Sequence, residues 1–133
     1  MEEKYNISTD QRPEGERVLD APMVQIDIPG FVEQIKSEPA WKTSDRNAIT
    51  VFKTDGLRIV LVALHKEAVL SEHSAAGILS LHVLEGEIKF ESQNKSVNLR
   101  QGHMVTLHKG LAHAVTAIEE SVFILSLSTS ASR

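Results

Sequence analysis

Short runs of β-forming residues, each followed by a turn, dominate this chain from residue 48 onward and most constrain its fold. The runs are AITVFKT, LRIVLVAL, ILSLHVL, EIKF, SVNL, MVTL, HAVTAI and SVFILSLS, and pairs such as Asp55-Gly56, Glu85-Gly86 and Gln93-Asn94 separate them. Many short strands at near-regular spacing are typical of an all-β sandwich or barrel. No segment between them has the helical pattern of roughly 10–15 residues that a parallel α/β sheet requires. The sequence therefore predicts an all-β fold whose sheet closes or doubles, which also protects its edges.

The segment before these runs has a different character. Residues 1–22 are polar and carry most of the net charge of −4, so we expect an N-terminal arm, with disorder as the simplest interpretation. The alternation in Met23–Ile28 predicts an edge strand that ends at Pro29-Gly30. One short helix is then expected, because Phe31 and its apolar neighbours fall on one side and the helix must end before Pro39. Residues 23–133 are expected to form one barrel domain.

Composition excludes several classes of function. The chain of 133 residues has no cysteine, which rules out disulfides, zinc–thiolate sites and a cysteine nucleophile, and fits a cytoplasmic location. No basic stripe is present for contacts with nucleic-acid phosphates. No apolar run approaches the length of a membrane span. We therefore expect neither nucleic acid nor a membrane among the partners.

Two segments of the β-rich region resemble the paired signature of the cupin superfamily. The first is EHSAAGILSLHVLEGEIKF, at 72–90, and the second is GHMVTLHKGLAHAVTA, within the stretch 102–117. The resemblance implies a jelly-roll barrel, also described as a double-stranded β-helix. It also implies a function in or around that barrel, often with a divalent transition metal as cofactor and often as a homodimer.

The ligand set implied by the resemblance is only half present. Counting back from Gly86 places the family's glutamate position at Leu79, its second histidine position at Ala75 and its first at His73. The late histidine position falls on His113, whereas Ala117 stands where asparagine is usual. Because a non-haem iron or manganese site usually needs three or four nitrogen or oxygen ligands, His73 and His113 alone would hold a divalent ion weakly.

Strand alternation predicts which side chains line the barrel. If the Leu79 position faces inward, Leu81 and Val83 do so as well, while His82 faces outward. If His113 faces inward, Val115 and Ala117 follow. The sequence thus predicts a largely apolar pocket with two imidazoles from different strands. The expected ligand-binding residues are His73, Ala75, Leu79, Leu81, Val83, His113, Val115 and Ala117.

The remaining histidines have simpler interpretations. His65 precedes a turn, where it is expected at the surface, although it could supply a third nitrogen at the pocket mouth. His82, His103 and His108 are expected on the exterior or at turns. Trp41 is expected as a core or interface anchor.

Three functions remain open at this point. The first is a non-catalytic small-molecule binder, favoured because apolar concavities with a few polar groups are the common type of ligand site. The second is a metal-dependent enzyme of the oxygenase or isomerase kind, with His73 and His113 as metal ligands. The third is a dimeric interaction module that uses the N-terminal arm. The fold alone cannot choose among them.

Overall fold

The computed structural model describes the backbone of residues 4–6 and 17–128, and the side chains of residues 17–71 and 74–128. The remaining residues of the predicted arm, 1–3 and 7–16, and residues 129–133 lie outside the described residues. The helices in the described ranges are α1, Ile28–Ser37, and α2, Pro39–Thr43. The strands there are β1 Lys4–Asn6, β2 Arg17–Asp20, β3 Arg46–Lys53, β4 Leu57–Leu64, β5 Val69–Ser74, β6 Leu79–Glu85, β7 Glu87–Ser92, β8 Lys95–Arg100, β9 Met104–Leu107, β10 Ala112–Ala117 and β11 Ser121–Ser128.

Two antiparallel sheets form the body of the molecule. One has the order β3-β4-β11-β6-β9 and the other β5-β10-β7-β8, while β1 and β2 pair as a small separate hairpin. Consecutive strands alternate between the two large sheets at several points, as in β5 to β6 and β9 to β10. The main core lies between these sheets. The all-β prediction is therefore confirmed, with helices confined to residues 28–43. No helix in the described ranges is long and apolar enough to span a membrane.

Each predicted β-run corresponds to a strand between β3 and β11, and only β5 was missed. Its sequence, VLSEHS, has only two apolar residues, too few to stand out as a β-run even though a turn precedes it. The Gln93-Asn94 turn joins β7 to β8 with positive φ at both residues, 53° and 61°. Positive φ at both central residues is the geometry that two-residue hairpin loops prefer, and asparagine tolerates it well.

The predicted edge strand at Met23–Ile28 is wrong. Residues 24–27 have no regular structure, and α1 already begins at Ile28. Asp27 caps this helix, since its Oδ1 accepts a hydrogen bond from the Gly30 amide at 3.1 Å. Pro29 falls in the first turn, where its missing N–H costs nothing. The residues that would stop a strand thus start a helix, and a second short helix, α2, follows where one was expected.

Both helices pack on the outer face of the five-stranded sheet. Strands β4 and β11 therefore bury side chains on both faces. The outer cluster contains Ile35, Trp41, Ile49, Val51, Leu61, Ala63 and Val122. Trp41 is buried within it, as expected for a core anchor.

A buried polar network fixes the end of α1 to β3. Asn47 donates to the Ile35 carbonyl at 3.0 Å and to Glu38 Oε1 at 2.9 Å. Gln34 donates to Glu38 Oε2 at 2.8 Å, so both carboxylate oxygens of the buried Glu38 are satisfied.

The described end of the predicted arm packs on this same side of the molecule. In β2, Leu19 and Asp20 are buried. The Arg17 guanidinium donates to the Thr50 carbonyl and lies 5.7 Å from the centre of the Phe31 ring. Residues 17–20 therefore form a strand against the domain.

Lys36 of α1 bridges two carboxylates, and this arrangement predicts a pH-dependent contribution to stability. Its Nζ lies 2.7 Å from Glu85 and 3.1 Å from Glu120. Burial opposes the ammonium form, but the hydrogen bonds to both glutamates and their charges outweigh it and raise the Lys36 pKa. A raised pKa contributes stability that is complete below the unfolded-state pKa and is lost as the pH rises through the folded-state value.

We therefore expect Lys36→Met to lower the free energy of unfolding by up to about 1 kcal/mol at neutral pH, since the groups are partly exposed. The difference from wild type should shrink as the pH rises above 10. Urea unfolding at a series of pH values measures it, with Lys42→Met, an exposed lysine on α2, as the control. A difference that stays constant up to pH 11 would mean that the ion pairs contribute nothing.

Candidate ligand site at one end of the barrel

Backbone register brings positions 73 and 113 together at one end of the barrel. At this end, here called the His113 end, β5, β7 and β9 finish and β6, β8 and β10 begin. His113 of β10 pairs with His73 of β5 on one side and with Ser92 of β7 on the other. Ser92 in turn pairs with Lys95 of β8. The side chain of His73 lies outside the described residues, so the statement for that position concerns its backbone.

His113 is buried and packed against an aromatic ring. The residue is only 2% exposed. The imidazole stacks on Phe90 with 5.7 Å between ring centres and 11° between planes. Its Nδ1 lies 3.4 Å from the Leu111 carbonyl, which is long for a hydrogen bond. A titratable group thus stands against an apolar wall at the end of the barrel.

The other predicted pocket residues lie deeper. Their burial follows the alternation expected from the sequence, since β6 and β10 bury every second side chain while His82 is half-buried on the other face. The buried side chains expose 2% or less and belong to the main core; they are Leu79, Leu81, Val83, Val115 and Ala117. Leu79 lies at the His113 end, Leu81 and Val115 lie farther along the same strands, and Val83 and Ala117 lie toward the opposite end of the barrel. A ligand would touch any of them only after neighbouring side chains moved.

Ala75 lies in the loop between β5 and β6. It is half-buried, and its carbonyl accepts a hydrogen bond from the Gly110 amide at 2.9 Å. This bond ties the loop before β6 to the loop before β10. Ala75 therefore helps to hold the rim of the His113 end in place.

An apolar cleft opens beside Phe90, between the free edges of β8 and β9. These strands belong to different sheets and are not hydrogen-bonded to each other, although a short turn connects them. The cleft encloses about 280 Å³. Its lining, which defines the β8–β9 cleft, is Phe90, Ser92, Gln93, Lys95, Val97, Val105 and Leu107.

None of these cleft residues was predicted from the sequence as part of a site. Register explains why they converge, since Phe90 pairs with Val97 while Val105 and Leu107 pair with the buried Leu81 and Leu79. The apolar alternation along MVTL does indicate a strand with one apolar face. Only the order of strands in the two sheets shows that this face of β9 lies next to the edge of β8.

Two larger concavities are less suited to a ligand of the barrel, although the first shares Ser92, Gln93 and Lys95 with the β8–β9 cleft. One of about 400 Å³ lies at the β7–β8 hairpin tip and is lined by polar side chains and Ala114. Another of about 310 Å³ lies between residues 17–26 and the Phe31 ring of α1. Neither is lined by Phe90, so neither reaches the stack on His113.

His65 does not contribute to the His113 end. It follows β4, whose last residue, Leu64, pairs with Ser121, whereas Leu79 pairs with Leu127 at the other end of β11. Its ring stacks on Trp41 with centres 3.5 Å apart, and its Nε2 donates to the Trp41 carbonyl at 2.8 Å. The suggestion that His65 supplies a third nitrogen is therefore wrong, because the residue lies at the opposite end of the barrel.

The last two histidines are on the surface, as expected. His103 is exposed, and its Nδ1 accepts a hydrogen bond from the Arg100 amide at 2.9 Å. His108 is exposed in the loop before β10. The residue pair Asp45 and Arg46 forms a surface ion pair at 2.8 Å, which lowers the Asp45 pKa chiefly through the hydrogen bond from Arg46.

The residues described here do not fit the metal site that the resemblance implies. Of its four positions, Ala75 and Leu79 carry no donor atom, and Leu79 is sealed in the core. Among the described side chains, no three histidine, aspartate or glutamate groups lie close enough to share an ion. The described side chains next to His113 are instead an apolar wall around Phe90, with Ser92, Gln93 and Lys95 at its rim.

Comparison of the sequence with protein-family models and with curated proteins finds no match. Solved structures match well: an RmlC-like cupin from Shewanella frigidimarina shares 16% identity over 66% of this chain and 79% of its own, with a TM-score of 0.62. A conserved protein of unknown function from Streptococcus pyogenes shares 20% identity over 65% of this chain and 75% of its own, with a TM-score of 0.61.

A cupin 2 conserved barrel domain protein from Leptotrichia buccalis is similar at 23% identity, with a TM-score of 0.62. The match covers 65% of this chain and 42% of that longer one. At such identities the likeness establishes the fold, and the chain has the cupin fold that the sequence predicted. Because 459 solved chains match, the fold by itself does not select a function.

Proposed function

From this cupin fold, we propose that the protein binds a small molecule at the His113 end of its barrel. One observation carries the proposal: the apolar β8–β9 cleft is walled by Phe90, which stacks on the buried His113. Concavities that are mostly apolar with a few convergent polar groups are the usual form of ligand sites. The volume of about 280 Å³ is near the lower limit of such sites and suits a small ligand.

In this proposal the residues have distinct roles. Phe90, Val105 and Leu107 contact the apolar part of the ligand. The buried His113 positions the Phe90 ring by stacking on it, and His73 on the adjacent strand supplies a polar contact. Of the residues predicted from the sequence, Leu79, Leu81 and Val115 pack behind the site, Val83 and Ala117 belong to the core farther away, and Ala75 positions the rim.

Binding without catalysis is favoured over the metal-dependent enzyme. An oxygenase or isomerase of the metal-dependent kind needs a third donor beside His73 and His113, whereas the two other ligand positions of the signature hold Ala75 and Leu79, which have no donor atom in their side chains. A homodimer and a cytoplasmic location stay predictions from the sequence.

A thermal-shift screen with metabolite classes tests the proposal. A ligand at 100 times its Kd stabilises the folded state by about 2.7 kcal/mol, which for a domain of this size raises the Tm by roughly 10 °C. The variant Val97→Trp places an indole in the cleft and should abolish the shift. Val69→Trp is the matched control, because the two valines are almost equally exposed, 44% and 45%, and Val69 lies on β5.

The two variants separate the possible results. A shift that persists in Val97→Trp but disappears in Val69→Trp would place the ligand elsewhere. If no metabolite class raises the Tm of the wild-type protein, the binding function itself is wrong.

A further inference from the structure

Charge is distributed unevenly between the two ends of the barrel. The loops that surround the His113 end, 74–78, 93–94 and 108–111, contain no aspartate or glutamate. Lys95 stands at the start of β8 and Lys109 lies in the loop before β10. Two carboxylates, Glu72 of β5 and Glu91 of β7, each lie two residues before one of these loops, and Glu91 is 3.8 Å from Lys89. Within the described residues, the turn between β3 and β4 also lies at this end and carries Asp55 between Lys53 and Arg58, on the far edge of the five-stranded sheet.

The opposite end is acidic. The connections there carry five glutamates, namely Glu67, Glu85, Glu87, Glu119 and Glu120. Lys36, Lys66 and Arg100 partly balance them, with Lys36 2.7 Å from Glu85 and Arg100 3.7 Å from Glu87. The loops at the His113 end, which carry a lysine and no carboxylate, are therefore less acidic than the connections at the opposite end.

Lys95 brings a positive charge to the cleft itself. It lines the β8–β9 cleft beside Ser92 and Gln93, and it is exposed. Lys95 and Lys109 make no ion pair with any residue in the described ranges. The hydroxyl of Ser92 is already used, since it donates to the Ala112 carbonyl at 2.6 Å. Lys95 is therefore the cationic group that a ligand in the cleft would meet.

We propose that the ligand is a small amphipathic anion, with an apolar body in the β8–β9 cleft and a single carboxylate beside Lys95. This inference rests on the proposed binding function and adds its chemical class. The apolar walls of Phe90, Val97, Val105 and Leu107 exclude a ligand that is charged along its whole length, because its desolvation would not be repaid. One lysine at the rim matches one carboxylate, and the nearby Lys109 attracts anions to the same end.

Matched pairs of acids and amides test the class of ligand. The probes are 3-phenylpropionate and 4-methylpentanoate, each with its neutral primary amide, titrated while backbone amide NMR signals of the cleft residues are followed. We expect each acid to bind roughly two- to fivefold more tightly than its amide, because ion pairs with an exposed lysine are weak. This preference should grow when the salt concentration is lowered from about 150 mM to about 10 mM.

Three variants of exposed lysines identify the contact. Lys95→Met should remove the preference, so that acid and amide bind with equal affinity, whereas Lys95→Arg should keep the preference. Lys42→Met, on α2 outside the cleft, is the control and should behave as wild type.

Each contrary result has its own meaning. If acid and amide bind equally to the wild-type cleft, the anionic class is wrong while the binding function stands. The same holds if Lys95→Met keeps the preference. If none of the four probes perturbs the cleft signals at millimolar concentration, the inference is overturned, and the broader metabolite screen then decides on the binding function separately.

Discussion

The variant Leu79→Glu is expected to lose more than about 4 kcal/mol of stability, although it restores the residue that the cupin signature has at this position. Leu79 is 2% exposed and packs in the main core. A buried carboxylate without a partner costs several kcal/mol, and the lost leucine contacts add to this cost. Since domains are stable by only about 5–15 kcal/mol, the variant should be marginally folded at neutral pH.

Urea unfolding measures this loss, and its pH dependence identifies the cause. Burial raises the pKa of a carboxyl group, so the glutamate destabilises the protein less at pH 5, where it is more protonated, than at pH 8. Leu79→Met, which conserves volume, is the control and should cost less than about 1.5 kcal/mol. A loss below about 1 kcal/mol for Leu79→Glu would show that this position opens to solvent or to a cation, and would restore the metal-site interpretation.

Gly86→Ala is expected to destabilise the protein by about 3 kcal/mol or more. Gly86 has a φ of 84°, a conformation that costs a residue with a Cβ roughly 1–2 kcal/mol. A Cβ at this position would also overlap the Glu120 carbonyl and Ser121. Ser121 cannot move freely, because its hydroxyl accepts a hydrogen bond from the Glu87 amide at 3.0 Å and donates to the Glu119 carbonyl at 2.8 Å.

Two other glycines separate the backbone strain from the overlap. Gly102 has a φ of 87° with open space around it, so Gly102→Ala should cost about 1–2 kcal/mol from strain alone. Gly56 has open space and no positive φ, so Gly56→Ala should change the stability by less than about 0.5 kcal/mol. Chemical denaturation should show the largest loss of stability for Gly86→Ala, a smaller loss for Gly102→Ala and the smallest for Gly56→Ala. Equal losses at Gly86 and Gly102 would disprove the close contact between the turn at Gly86 and the turn at Glu119-Glu120.

Local sequence patterns predicted the structure correctly where a strand or turn depends mainly on residues close to it in the chain. The alternation in LSLHV correctly placed Leu79, Leu81 and Val83 on the buried face and His82 on the other. The strand β5 was missed because its apolar content is low, and it is held by pairing with β10. The alternation in Met23–Ile28 predicted a strand although Asp27, followed by Pro29, is itself a local signal for the start of a helix, so this error does not depend on tertiary structure.

The candidate site was only partly predictable. The spacing of residues in the segment that resembles the second cupin motif identified position 113. The strand register places this position opposite position 73. The cleft beside it was not identified, because Val97 and Val105 belong to different sheets. Their proximity follows from the order of strands, which hydrophobic periodicity does not encode.

The sequence by itself determined the all-β class, the positions of most strands and turns, and the side chains that face the core, because these depend on alternation and turn chemistry between near neighbours. Only the tertiary structure decided that His65 is at the wrong end of the barrel, that Leu79 is sealed, and that an apolar cleft opens between β8 and β9. These properties depend on which strands become neighbours and which edges stay free, and that choice is made by the packing of the whole chain.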